Sequence, residues 1–278
     1  SFRVGALGMS ALSLDRLMDE WDLALREKRL MAPFRCSKLA LPDAAERQAL
    51  TAQDLINACA PDAAISRPVY VGVDTGDWCH IAMAEPVDGA LVYRLFDRVP
   101  GEELVARLVM LASQHRIAGI LVDERPEGSL ARAVCRAFPR VAMMQQFTAA
   151  DYARRKTLAG ETFGVLSFDR EDTLGAWCDQ VRMAPPRVLF PRFVEGMPFV
   201  ESAPGRHILT GAQRMEVEQD GFTIHRFRGG GVDNHYFMAC VFAWRMWAHS
   251  ARGWREREDI SLLGAITSDA WRREATGT

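Results

Sequence analysis

Pro68-Val-Tyr-Val-Gly-Val-Asp74 is a β-rich run that ends on an acid, and His80-Ile-Ala-Met-Ala84 and Ala90-Leu-Val-Tyr-Arg-Leu-Phe96 repeat the signal after short turns. Three strands joined by tight links predict an antiparallel meander. Gly101 then opens a predicted helix with Leu104, Leu108 and Leu111 on one stripe, and Gly119-Ile-Leu-Val-Asp123 has the continuously apolar character of a short buried strand. A second helix over about 128–138 and a strand over about 140–145 follow. Alternating strands and helices at these spacings form right-handed parallel crossovers. The expected fold is therefore α/β, a mixed sheet that begins antiparallel, continues parallel and is flanked by helices.

Further along the chain, the pattern predicts a strand near 163–167, a helix over about 170–183, and an added β-hairpin of 214–219 with 222–227 across Asp220-Gly221. Gly229-Gly-Gly231 leads into a strongly apolar helix from Asp233 to about Ala248, with Phe237, Val241, Trp244 and Trp247 or Ala248 on its buried side. Upstream, Leu14, Leu17, Met18, Trp21 and Leu25 recur at helical spacing behind Ser13, and residues 31–67, with Pro33, Pro42 and Pro61, suggest an irregular arm. The expected organisation is a connector with one amphipathic helix over 1–67, a main domain over 68–250 and a polar tail over 251–278. The first residue is not methionine, which suggests a portion of something longer.

The 278 residues, 49% hydrophobic and 25% charged, exclude disorder and collagen-like repetition. The 34 basic and 36 acidic side chains nearly cancel, so any affinity for nucleic acid must come from local patches. Six scattered cysteines form no CxxC pair and no zinc-spaced cluster, as expected of a reduced, cytosolic chain. No apolar run approaches the ~20 residues of a membrane span, and no membrane partner is expected.

Three acids stand at element ends: Asp74 after the first strand, Asp123 after the first parallel strand, and Asp233 where the glycine loop enters the last helix. If the two strands are neighbours, Asp74 and Asp123 stand side by side and the helix brings Asp233 over them. Such a cluster is costly unless cations neutralise it. Hard oxygen ligands suit Mg²⁺ or Mn²⁺, and two such ions ~4 Å apart suit phosphodiester cleavage. Singly, each aspartate is explained as a turn former or an N-cap; the ordered set is what points to metal. Alternation puts Leu121 with Asp123 and puts Val122 with Glu124, so only one of the two acids can face the site; Asp123 is favoured and Glu124 is the substitute. Asp77, in a turn after Gly76, is in reach of a second ion through water, and Glu127 is a weaker candidate.

Val71-Gly-Val-Asp74-Thr-Gly, Ile120-Leu-Val-Asp123-Glu124 and above all Val232-Asp233-Asn234-His235-Tyr236-Phe237-Met-Ala-Cys240 resemble the ribonuclease H-like nuclease domain of phage terminase large subunits, over roughly residues 68–248. The resemblance implies a ribonuclease H-like sheet and a third metal ligand at Asp233. It also implies an endonuclease that cuts concatemeric double-stranded viral DNA with two ions, Mg²⁺ or Mn²⁺, held by Asp74, Asp123 and Asp233. The partners it implies are DNA, portal protein, the small terminase subunit and a terminase ATPase domain, in the host cytoplasm. No GxxxxGK(S/T) pattern occurs in the sequence, so these residues cannot power translocation.

Between Arg125 and Leu158 the cations Arg125, Arg132, Arg136, Arg140, Arg154, Arg155 and Lys156 outnumber the acids Glu127 and Asp151. Arg154-Arg155-Lys156, in an expected loop near the acidic edge, is the best phosphate contact, followed by Arg226 and Arg228 on the hairpin. His235, two residues beyond Asp233, is a candidate auxiliary group toward metal or phosphate; the other histidines have no ligand spacing and receive no role. Two further readings stay open. Gly72-Val-Asp74-Thr-Gly76 also suits the first phosphate loop of an actin-like nucleotide phosphotransferase, and the apolar N-terminal helix with the arginine surfaces suits a non-catalytic docking module for DNA or a packaging motor.

Overall fold

The structure, a computed structural model, describes residues 13–26, 49–126, 128–149, 151–158, 160–219, 222–227 and 233–251. The chain divides into one unit of residues 1–49 and 213–228 and another of residues 50–212 and 229–278. The larger unit holds the sheet. Its strands are β1 (Cys59–Ala60), β2 (Val69–Asp74), β3 (Trp78–Val87), β4 (Ala90–Pro100), β5 (Ile117–Asp123), β6 (Ala142–Phe147), β7 (Tyr152–Leu158), β8 (Glu161–Phe168) and β9 (Val188–Pro191). Among the described residues they run in the order β1-β9-β4-β3-β2-β5-β6-β8-β7. β2, β3 and β4 form the expected antiparallel meander, and β2, β5, β6 and β8 pair in parallel.

The central strands are nearly continuous apolar runs because helices cover both of their faces. On one face Val71, Val73, Ile81, Met83, Ile120 and Val122 pack with Leu104, Leu108 and Leu111 of α3 (Leu104–Gln114) and with Ala131 and Val134 of α4 (Gly128–Ala137). The other face takes α7 (His235–Ala251), which lies over β2, β3 and β5. Every residue of α7 from Tyr236 to Ala248 is buried, where the sequence suggested a single buried side. A helix apolar all round belongs in an interior, and Arg245 is tolerated there because Asp151 accepts its hydrogen bond at 2.7 Å and Phe168 stacks beneath it. α5 (Arg170–Arg182) and α6 (Ala203–Gly211) pack against α7.

Two expectations are corrected. Arg154-Arg155-Lys156 is not a loop but part of edge strand β7, antiparallel to β8. Charge along an edge strand discourages further pairing, and water on both sides leaves no apolar period to read. Part of the irregular arm is also ordered: Thr51 caps α2 (Ala52–Asn57) through a reciprocal box with Asp54, and β1 pairs with β9. The backbone N–H groups of Ser66 and Arg67 donate to buried Glu85 at 3.0 and 3.1 Å, which ties this segment to β3.

In the smaller unit, α1 (Leu14–Arg26) is the expected amphipathic helix, and β12 (Arg214–Gln219) pairs with β13 (Phe222–Phe227) as the expected hairpin. A short β-pair of the larger unit, β10 (Phe193–Val194) with β11 (Met197–Pro198), has no counterpart in the expectations. The Asp220-Gly221 turn, Glu127, Arg228, the Gly229-Gly-Gly231 link and the tail beyond 251 lie outside the described residues. No described helix is long and apolar enough to cross a membrane.

Candidate metal centre

The site grows from a row of residues across the sheet. Register places Asp74 opposite His80 on β3, and His80 opposite Arg98 on β4. On the other side, the pairing of Val73 with Val122 carries Asp74 to the level of Asp123, itself paired with Gln145 on β6. Opposed residues on adjacent strands share a face, so Arg98, His80, Asp74, Asp123 and Gln145 all look toward the α7 side.

Gly72 is what lets α7 come down on that row. A Cβ at Gly72 would lie 1.9 Å from the Ala239 carbonyl oxygen and 2.5 Å from the Ala243 nitrogen, so only glycine admits this approach. Gly211 at the end of α6 does the same for the helix start, where a Cβ would meet Phe237 at 2.5 Å and Asn234 at 2.9 Å. The Met238 N–H donates to the Asn234 carbonyl, so α7 begins beside Asp233 and points its first turn at Asp74.

Asp74 is 7% exposed, and its Oδ2 lies 2.7 Å from His235 Nδ1. Burial raises its pKa above the ordinary carboxylate value, against the lowering effect of the His235 hydrogen bond and charge. Asp123 is pushed up to about 7, chiefly by burial and further by the Asp74 charge, although the Arg125 N–H that it accepts opposes this. Its Oδ1 takes that N–H at 3.1 Å and, with the Gln145 amide nitrogen turned toward it, a second bond at 3.0 Å. Asp74 Oδ1 and Asp123 Oδ2 accept no hydrogen bond among the described residues. Thr75 Oγ1 donates to the Asp123 and Arg125 carbonyls and so binds the two strand ends together.

The histidines form the second half of the site. Asp74, His80 and His235 each offer a ligand atom, all within 4.8 Å of one another. His80 stacks on His235 with ring centres 4.6 Å apart, and His207 lies 5.6 Å from His80. His80 is 4% exposed, and its Nδ1 has no hydrogen-bond partner among the described residues. Burial and the neighbouring His235, His207 and Arg98 charges lower its pKa to about 3, so it is a neutral donor. His207 is lowered chiefly by burial, whereas His235 is raised, first by its bond to Asp74. The Asp74 carboxylate and the two imidazoles gathered within 4.8 Å, with the half-buried Asp123 carboxylate on the next strand, suit a divalent cation.

The structure thus sets Asp123 at the level of Asp74 on the neighbouring strand and His235 against Asp74. Asp233 is exposed, and its charge favours the protonated forms of both His207 and His235, which places it beside them. Glu124 is elsewhere: it accepts a 2.6 Å bond from Lys156, on the face away from Asp123. Asp77 is exposed in the turn after β2. Arg154 bonds Gln146 at 2.9 Å and shares the face of Lys156, so alternation leaves only Arg155 on the carboxylate side of β7. Arg226 lies on β13 of the smaller unit, and Arg228 is not described. Sequence reasoning missed His80 and His207. The hairpin pairs Asp74 with His80 across residues 75–79, a register that nothing local fixes, and nothing local marks His207.

An antiparallel meander running into parallel strands, with a helix laid over β2, is a ribonuclease H-like arrangement of a mixed sheet, and acids stand at the ends of its β2 and β5. Among solved structures the chain is similar to the large terminase of a thermophilic bacteriophage, at 12% identity over 87% of this chain and 54% of that one, with a TM-score of 0.50. It therefore spans about half the length of that protein. It is also similar to the large terminase nuclease of another thermophilic phage, G20c, at 12% identity over 72% and 98% of the two chains with a TM-score of 0.43. The magnesium-bound form of that nuclease matches at 14% identity over 72% and 97%, with a TM-score of 0.44. No family model and no curated protein matches the sequence.

Proposed function

We propose that this protein is a divalent-metal-dependent endonuclease for double-stranded DNA, the nuclease portion of a phage packaging terminase. The observation that carries this is the pair Asp74, buried, and Asp123, half-buried, level with each other on adjacent strands, each with an oxygen that accepts no hydrogen bond among the described residues and each held above the ordinary carboxylate range. Asp74, Asp123, Asp233 and His235 would hold two ions, Mg²⁺ or Mn²⁺, with His80 adjoining. Bound there, such ions activate a water and neutralise charge on the scissile phosphate. The protein's own part is positioning. Arg125 N–H and Gln145 fix Asp123 through Oδ1 and leave Oδ2 to bind. Asp74 orients the His235 ring through Nδ1 and leaves Nε2 to bind. Arg154, Arg155, Lys156, Arg226 and Arg228 are proposed phosphate contacts; of the β7 cluster, Arg155 is on the carboxylate side. The proposed setting is packaging in the host cytoplasm, with portal protein, small terminase subunit and an ATPase domain as partners.

The test is nicking of supercoiled plasmid by the 278-residue chain. Nicking is expected with Mn²⁺ or Mg²⁺ and none in excess chelator, and Asp74→Asn and Asp123→Asn are expected to remain folded without nicking. Cleavage that survives chelation, or that survives in Asp74→Asn, overturns the proposal. ATP binding without any nicking would favour the phosphotransferase instead.

A further inference from the structure

The geometry points to Arg98 and Trp78 as a contact for the DNA backbone beside the metal centre, Arg98 holding a phosphate and Trp78 the adjoining deoxyribose. This rests on the nuclease proposal and adds to it a surface outside the β7 and hairpin cations.

Arg98 lies in the same row as Asp74, two strands away through His80, a distance of ~10 Å from two interstrand spacings. That is within a few nucleotides of any phosphate held at the carboxylates. It is exposed and has no carboxylate partner among the described residues. Its neighbours differ: Glu85 takes Arg94, Asp97 takes Arg107 and Glu124 takes Lys156. Asp97 meets Arg98 only through the backbone N–H, at 2.8 Å.

The Arg98 guanidinium is instead held over the Trp78 ring, 4.4 Å from its centre. A cation–π contact of this kind orients the guanidinium without neutralising it, and its N–H donors stay available in the plane. A pocket of buried carboxylates repels a polyanion, and an unneutralised cation on its rim offsets that repulsion. Trp78 is 47% exposed at the start of β3, on the face of His80. A half-exposed indole there offers a flat apolar surface to sugar or base, as aromatic platforms do in nucleic-acid channels.

The experiment measures binding of a fluorescently labelled short DNA duplex to the full chain in chelator, by anisotropy over a series of salt concentrations, with plasmid nicking in Mn²⁺ run in parallel. Arg98→Ala should weaken binding and reduce the slope of log affinity against log salt by about one. Arg98→Lys should keep the slope and recover part of the affinity. Trp78→Ala should weaken binding with the slope unchanged, and Trp78→Phe should restore most of it. Thermal melting of each variant checks that it is folded. Should wild type bind and nick DNA while Arg98→Ala binds with the same affinity and slope, the contact is refuted and the nuclease stands. If wild type neither binds nor nicks, the nuclease proposal fails and takes the contact with it.

Discussion

Gly72→Ala should uncouple the helix from the sheet at the point where the metal centre is assembled. The new methyl group would sit 1.9 Å from the Ala239 carbonyl oxygen, and an ordinary contact begins near 3.4 Å, so α7 must retreat by about 1.5 Å. The obstructing atoms are backbone and cannot rotate away. Overpacking of this kind costs about 1–3 kcal/mol or more, which in a domain of this size lowers Tm by ~2–4 °C per kcal/mol. The same retreat would break the 2.7 Å contact between His235 and Asp74, and misplacement by ~1 Å can cost on the order of 100-fold in rate. The assays are calorimetric melting and plasmid nicking in Mn²⁺. Gly76→Ala is the control within the same motif, because its methyl group would meet nothing nearer than the Trp78 carbonyl at 3.5 Å. Wild-type Tm and activity in Gly72→Ala, or equal damage from Gly76→Ala, would refute the account of how the helix reaches the strand.

Three other outcomes follow from particular contacts. The folded-state pKa of Asp123 lies above its unfolded value, so its contribution to stability is complete below pH ~4 and is lost as pH rises through about 7; in chelator, Asp123→Asn should match wild type near pH 4 and exceed it at pH 8 by on the order of 4 kcal/mol in urea unfolding, and a variant less stable than wild type at pH 8 would contradict this. Glu85→Ala leaves the largely buried Arg94 without its carboxylate and frees the Ser66 and Arg67 N–H groups, a loss of about 3–5 kcal/mol that calorimetry should register. His235→Ala should lower Mn²⁺ affinity by about 10- to 100-fold in titration calorimetry and Mg²⁺ affinity by less, since imidazole favours the softer ion; unchanged Mn²⁺ affinity would remove His235 from the centre.

The backbone of the fold was legible wherever one chain segment carries its own period. Val69 to Asp74, the leucine stripe at 104, 108 and 111 and the 214–227 hairpin all signal locally, and each is found as an element. β7 was not legible because an edge strand wetted on both faces has no apolar alternation. β1 and β9 were missed because strands of two and four residues offer too little pattern. Glu124 and Asp123 were separable on paper by alternation alone, and the bond from Lys156 gives Glu124 a partner on the opposite face.

By itself the sequence determined the meander, the parallel strands behind it, the helices with an apolar stripe, and that acids stand at the ends of β2 and β5, because hydrophobic period and strand ends are properties of consecutive residues. Only the tertiary structure decided that His80 and His207 join Asp74, that Lys156 is spent on Glu124, and that Gly72 is the point where α7 meets the sheet. Those facts depend on register between strands and on a close approach between residues 72 and 239, and contacts across that much chain leave no mark on the spacing of neighbours.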